Sequence, residues 1–168
     1  FDCFPVRQFF YKEKWFENYV NYNLEEKKFY LKEVIINNRE LIKKLNESKK
    51  NQILEVSFDR NKYFDRICRF VKKNGGIFFT IDYGYIEKPR NYTLQAIQNH
   101  RFSNIFESIG EKDISSHVDF ECFINIAKDN KLKIEEYCSQ REFLLKYGIM
   151  ERVKNLSKSN YTESIKHG

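Results

Sequence analysis

Two polar clusters in this chain stand where apolar segments end, and their side chains are of kinds that orient or deprotonate a ligand. In the first, Gly75-Gly76 releases the apolar run Ile77-Phe78-Phe79-Thr80-Ile81, which stops at Asp82-Tyr83-Gly84. An acid at the end of a buried parallel strand can bond hydroxyls, orient a cation or act as a base, and it can equally cap the next turn. Gly84 would let the backbone approach a ligand closely. The second cluster is Gly110-Glu111-Lys112-Asp113-Ile114-Ser115-Ser116-His117-Val118-Asp119-Phe120, a polar loop running into an expected helix start. Asp113 and Asp119 flank His117 there and could form a pocket wall, although a histidine in that position can also simply cap or pack. Arg90 and His100 read as surface residues. The chain holds no Ser/His/Asp triad, GxSxG elbow or P-loop. It also lacks any GxGxxG, and so a self-contained phosphate or dinucleotide cradle.

These clusters depend on the elements around them. Residues 6–34 contain aromatic and β-branched runs, Val6 to Tyr11, Trp15 to Tyr22 and Lys28 to Val34. Polar turns at 12–14 and 23–26 separate them, which predicts an antiparallel β meander. The polar stretch 37–51 is expected to be a short surface helix or linker anchored by Leu41, Ile42 and Leu45. Ile53 to Val56 reads as a brief strand. From Asn61 to Lys73, Phe64, Ile67, Cys68 and Val71 share one helical face, and Asn74-Gly75 closes the helix. A strand over 77–82 follows at once, which makes an α/β unit and implies a parallel sheet. Thr93 to His100 is expected to be helical. Ser116 with Asp119 resembles a capping box for a helix with the stripe Phe120, Phe123, Ile124 and Ala127. Leu132 to Cys138 alternates like a strand, a short helix runs from Gln140 to Gly148, and Met150 to Leu156 continues as helix before a polar tail, 157–168.

Composition narrows the function classes. A chain of 168 residues is most simply one domain, and its net charge of +6 is spread through interspersed Lys and Glu. Abundant Lys, Asn, Ile, Phe and Tyr with little Ala and Pro look like a genome-wide bias, which disfavours a nucleic-acid face. Cys3, Cys68, Cys122 and Cys138 form no CxxC pair, and with three histidines no spacing reads as a metal site. Reduced cysteines, no secretory signal and no apolar run near the roughly 20 residues of a membrane span suggest a soluble, intracellular protein without a membrane partner.

Several motifs in fixed order now carry a resemblance. Phe1-Asp2-Cys3-Phe4-Pro5-Val6-Arg7-Gln8-Phe9 is followed by Trp15, Ile81-Asp82-Tyr83-Gly84, Thr93-Leu94 and His100. Then come Gly110-Glu111-Lys112-Asp113-Ile114, His117-Val118-Asp119-Phe120, Gln140-Arg141-Glu142-Phe143-Leu144, Gly148-Ile149 and Arg152. The order is similar to that of the MidA-like family, S-adenosylmethionine (SAM)-dependent methyltransferases of bacteria and mitochondria linked to respiratory complex I assembly. The resemblance covers most of residues 1–156. It implies an α/β fold, the C-terminal portion of a class I (Rossmann-like) methyltransferase sheet with an inserted antiparallel meander (6–34) and an α/β part (52–156). It also implies methyl transfer to an arginine of a protein partner, in which carboxylates hold the guanidinium for in-line attack and most of the work is proximity and electrostatics.

Carried over residue by residue, Asp2, Asp82 and His117 are the candidate catalytic residues, and Pro5, Tyr83, Gly84 and Asp113 the candidate substrate-binding ones. Asp2 and Pro5 match the tail of the family's Asn-Glu-x-Phe-Asp-Ala-x-Pro loop beside the transferred methyl group, with Cys3 at the usual alanine position. The family's glycine-rich SAM loop and ribose acid have no counterpart here. SAM is therefore expected to be bound mainly by residues outside this chain, which starts at Phe1 and reads as an interior-to-C-terminal portion. The expected partners are a protein substrate, the protein's own N-terminal half and, in addition, a homodimer mate, in the bacterial cytoplasm or the mitochondrial matrix. The alternative reading is a non-catalytic, truncated or split-gene product acting as a protein-interaction module. A third, a small basic RNA-binding module, would use the aromatics of the 6–34 meander.

Overall fold

The computed structural model describes the backbone of residues 1–47 and 53–166 and side chains through residue 157. Two compact units emerge, Phe1–Lys133 and a second from Ile134 onward. In the first, β1 (Arg7–Lys12), β2 (Lys14–Asn23) and β3 (Lys28–Ile35) form the expected meander. The strand β4 (Ile53–Val56) adds to its far edge, giving the all-antiparallel order β3-β2-β1-β4. Helix α1 (Arg39–Glu47) lays Leu45 against Phe9, Trp15 and Leu54, with Leu41, Ile42, Ile36 and Val56 around them. The Trp15 indole donates to Asn46 Oδ1 at 3.0 Å and so ties β2 to this helix. Part of the polar 37–51 segment, residues 48–51, lies outside the described residues.

Helix α2 (Phe58–Asn74) starts where Ser57, in extended backbone, accepts from the Arg60 amide, and ends at Gly75, whose φ of 77° suits glycine. It packs Phe64 and Cys68 against Val118, Phe123 and Ala127, the last two on α3 (Phe120–Asp129). The Phe64 and Phe123 rings stack at 4.0 Å. Phe1 is the hub of this core, its ring meeting Phe4, Tyr63, Phe64, Phe78 and Phe123 at 5.0 to 6.4 Å between centroids.

Four local expectations give way. Residues 77–82 form no strand, and the parallel sheet is reduced among the described residues to one short pair, β5 (Gly84–Tyr85) with β9 (Val118–Asp119). Strand character requires a neighbour that takes up the backbone N–H and C=O groups, whatever the side chains prefer. Burial still alternates along the run: Phe78 meets Phe1 and Phe64 and Thr80 is half-buried, while Ile77, Phe79 and Ile81 face outward. Leu132 to Cys138 likewise forms no strand. Thr93 to His100 is not a helix but β6 (Gln95–Gln98), paired on one side with β7 (Arg101–Ser103) and on the other with β8 (Asp113–Ser115). Gln98 opposite Arg101 leaves Asn99 and His100 as a two-residue turn, both at positive φ (50° and 62°), the hairpin geometry that Asn tolerates best. Finally, Ser116 caps no helix: the N-cap of α3 is Asp119, which accepts from the Cys122 amide at 2.9 Å.

In the second unit, α4 (Gln140–Lys146) opens on a capping box in which Ser139 and Glu142 bond reciprocally. Helix α5 (Ile149–Lys166) follows Gly148, at φ 88°, and takes in most of the polar stretch read as a tail.

Candidate functional site

The N-terminal segment 1–5 is pinned at both ends. The Pro5 carbonyl accepts from Ser57 Oγ at 2.7 Å, the Asp2 carbonyl from the Ser116 amide at 2.9 Å, and the Phe1 nitrogen donates to Asp82 Oδ2 at 2.8 Å. Ser116 is 1% exposed, and its amide and hydroxyl both donate to the Asp2 carbonyl. Asp82 Oδ1 accepts from the Tyr83 amide at 2.8 Å, and the Tyr83 carbonyl accepts from the Val118 amide at 2.8 Å. Thus three segments far apart in sequence, 1–5, 82–84 and 113–119, share direct main-chain or carboxylate bonds. The Asp2 and Asp82 side chains are 25% and 11% exposed.

The remaining candidates are distributed unevenly. His117 is half-buried and belongs to the β8–β9 link, three residues before α3 instead of at its N-terminus; its amide donates to Thr93 Oγ1 at 2.9 Å. Tyr83, 76% exposed, projects outward. Asp113 is exposed in β8, opposite Ile97. At Gly84 the close approach is internal. An added Cβ would sit 2.4 Å from the Val118 carbonyl oxygen and 2.5 Å from the Phe120 ring, so the missing side chain admits β9 and α3, not a ligand. Around Gly75, Gly76, Gly110 and Gly148 nothing lies within 4 Å of such a Cβ. Among the described glycines, only Gly84 is one where an added Cβ would meet other atoms.

Beneath these residues lies a charged layer that sequence reasoning passed over. Glu55, in β4, accepts from the Thr93 amide (3.1 Å), the Thr93 hydroxyl, the Leu94 amide (3.3 Å) and Gln8 Nε2 (3.0 Å). Arg60, 2% exposed, donates from Nη1 to the carbonyls of His117 (3.2 Å) and Phe1 (3.5 Å), and its buried Nε has no hydrogen-bond partner among the described residues. An acid inside Ile53-Leu54-Glu55-Val56, and an arginine in the first turn after Ser57, are the signals that could have marked them. Burial lowers the Arg60 pKa and, as the leading cause, raises those of Asp119 and Tyr85; it pushes Cys122 up to about 11. Arg60, Tyr85, Lys88, Asp119 and Cys122 line a cavity of about 380 Å³. A larger one, about 530 Å³, lies apart from the candidate residues, between α1 and the meander, beside the Arg7–Glu17 ion pair.

Segments 1–5, 82–84 and 113–119 thus meet at one junction beside the α2–α3 core. The chain belongs to the family described as putative SAM-dependent methyltransferases, whose model matches residues 1–138. It is similar to the mitochondrial protein arginine methyltransferase NDUFAF7 homolog of Caenorhabditis elegans, 32% identical over 96 residues, 57% of this chain and 21% of that protein. The mitochondrial protein arginine methyltransferase NDUFAF7 of Danio rerio is 25% identical over 107 residues, 64% of this chain and 25% of that protein. A Burkholderia thailandensis protein crystallised with S-adenosyl-homocysteine shares the fold: TM-score 0.81 at 22% identity, covering 96% of this chain and 43% of that one. The chain thus spans less than half the length of the proteins it matches. No described helix is long and apolar enough to cross a membrane.

Proposed function

We propose that this chain supplies the acceptor side of a SAM-dependent methyltransferase that methylates arginine on a protein partner. The observation that supports it most is the junction of segments 1–5, 82–84 and 113–119, where the Ser116 amide bonds the Asp2 carbonyl and the Val118 amide bonds the Tyr83 carbonyl. SAM supplies an electrophilic methyl group. On this reading the chain's own residues hold the guanidinium: Asp2 and Asp82 accept its N–H groups and orient one nitrogen, and Asp113, His117 and the exposed Tyr83 complete the acceptor wall. Pro5, tied to Ser57, fixes where segment 1–5 leaves the junction. Positioning and electrostatics carry the reaction. SAM is then held mainly by residues beyond this chain. The reading extends to the protein's own N-terminal half as a partner and to respiratory complex I assembly as the setting, in mitochondrial matrix or bacterial cytoplasm.

Calorimetric titration of SAM into the chain, with and without the family's N-terminal half, tests this. The expectation is no micromolar binding by the chain alone and methyl transfer to an arginine-containing peptide by the pair. SAM binding by the chain alone would refute the division of labour, and inactivity of the pair would refute the acceptor role. A second reading, a non-catalytic interaction module, is favoured by the exposed apolar side chains of Ile77 and Ile81. It predicts self-association on size-exclusion chromatography, including the homodimer, and a monodisperse monomer counts against it.

A further inference from the structure

We propose that Glu55 and Thr93 are positioning residues for the acceptor wall, acting through the main chain of His117. The inference rests on the acceptor-side reading above.

Glu55 lies in β4, the edge strand of the meander sheet, and takes four hydrogen bonds from three residues on two other segments. Two of those donors belong to Thr93, just before β6. The Thr93 hydroxyl has one proton to give, and it gives it to Glu55; its lone pair accepts the His117 amide at 2.9 Å. The polarity of the chain is therefore fixed: the carboxylate orients the hydroxyl, and the oriented hydroxyl can only accept from His117. From the other side Arg60 donates to the His117 carbonyl at 3.2 Å and to the Phe1 carbonyl at 3.5 Å. Both main-chain polar groups of His117 are thus held by side chains, and the same Arg60 joins His117 to the segment carrying Asp2. The network also reaches back into the meander, where Gln8 Nε2 donates to Glu55 and Gln8 Oε1 accepts from Asn18 Nδ2 at 3.3 Å. None of these side chains needs to touch the acceptor. They set where the 113–119 segment stands relative to Asp2 and Asp82.

Amide hydrogen exchange of the full chain tests the relay directly. Thr93→Val is expected to speed exchange of the His117 amide about tenfold or more, and Thr93→Ser, which keeps the hydroxyl, to restore it. Glu55→Gln is expected to speed it as well. Combining Glu55→Gln with Thr93→Val should add nothing beyond Thr93→Val alone, because both act on one bond. Amides of the β2–β3 pairing serve as the reference and should not change. In the whole methyltransferase, Thr93→Val is expected to raise KM for an arginine-containing peptide while leaving KM for SAM unchanged; a general loss of stability would move both. Unaltered His117 exchange in Thr93→Val overturns the relay, and so does accelerated exchange with unaltered peptide KM. If the wild-type enzyme transfers no methyl group, the methyltransferase reading fails, and the exchange data alone decide whether Glu55 and Thr93 hold His117.

Discussion

Two Phe-Phe pairs in this chain meet opposite ends. Phe9-Phe10 sits in β1 with neighbours on both sides, β2 and β4, and Phe9 is 0% exposed. Phe78-Phe79 sits in a run just as apolar, yet Ile77 is 85% and Phe79 63% exposed. Composition does not separate Gln8-Phe9-Phe10-Tyr11 from Ile77-Phe78-Phe79-Thr80. What separates them is the backbone's partner: β1 has ladders on both edges and a helix over one face, whereas 77–82 pairs with no strand among the described residues and packs Phe78 against Phe1 and Phe64. Apolar residues stabilise a segment to the extent that something already placed covers them.

The largest test of this contrast is Phe9→Ala, expected to cost about 3–5 kcal/mol in urea unfolding because a fully buried ring leaves a cavity under α1. Gly84→Ala comes next. A methyl group driven into the Val118 carbonyl and the Phe120 ring should cost about 1–3 kcal/mol, and it should open the parallel β5–β9 pair, read as faster exchange of the Val118 amide. Asp119→Ala should cost about 1 kcal/mol by uncapping α3, with Asp119→Asn retaining the cap. Burial raises the Asp119 pKa in the fold, so the native protein is relatively more stable with this carboxyl protonated. Its contribution is full below the ordinary carboxylate range and is lost as pH rises through the elevated folded value. Asp119→Asn is therefore expected to gain on wild type as pH rises through that window, and a gap that stays flat or shrinks would contradict it. Ile77→Ala should be smallest, within about 0.5 kcal/mol for this chain. A loss comparable to that of Phe9→Ala would break the comparison outright.

The same contrast explains what could be read in advance. The meander was legible because its aromatic runs alternate and Lys12-Glu13-Lys14 and Asn23 to Glu26 interrupt them, and its three strands lie next to one another in sequence. Helix α2 was legible from Phe64, Cys68 and a glycine stop. The 77–82 strand misled because its apolar run says nothing of who pairs with it. At Thr93 to His100, helix-compatible residues became a hairpin once β8, fifteen residues on from β6, supplied the second ladder. For the site, Asp82 and His117 stood out as polar groups beside apolar runs. Asp2 came only through the family resemblance. Glu55 and Arg60 stood out only as charges beside apolar residues; the groups they hold, main-chain atoms of Thr93, His117 and Phe1 among them, were not legible in the sequence.

The aromatic hub at Phe1 has a kinetic consequence. Its ring contacts are Phe4 nearby in sequence and Tyr63, Phe64, Phe78 and Phe123 some 60 to 120 residues away. A long loop must close before any of them rewards the chain, and α2 and α3 must already be stacked to receive the ring. Phe1→Leu is therefore expected to speed unfolding while leaving the folding rate nearly unchanged, since the contact forms after the barrier. A slower folding rate in Phe1→Leu would mean that segment 1–5 is already docked at the barrier.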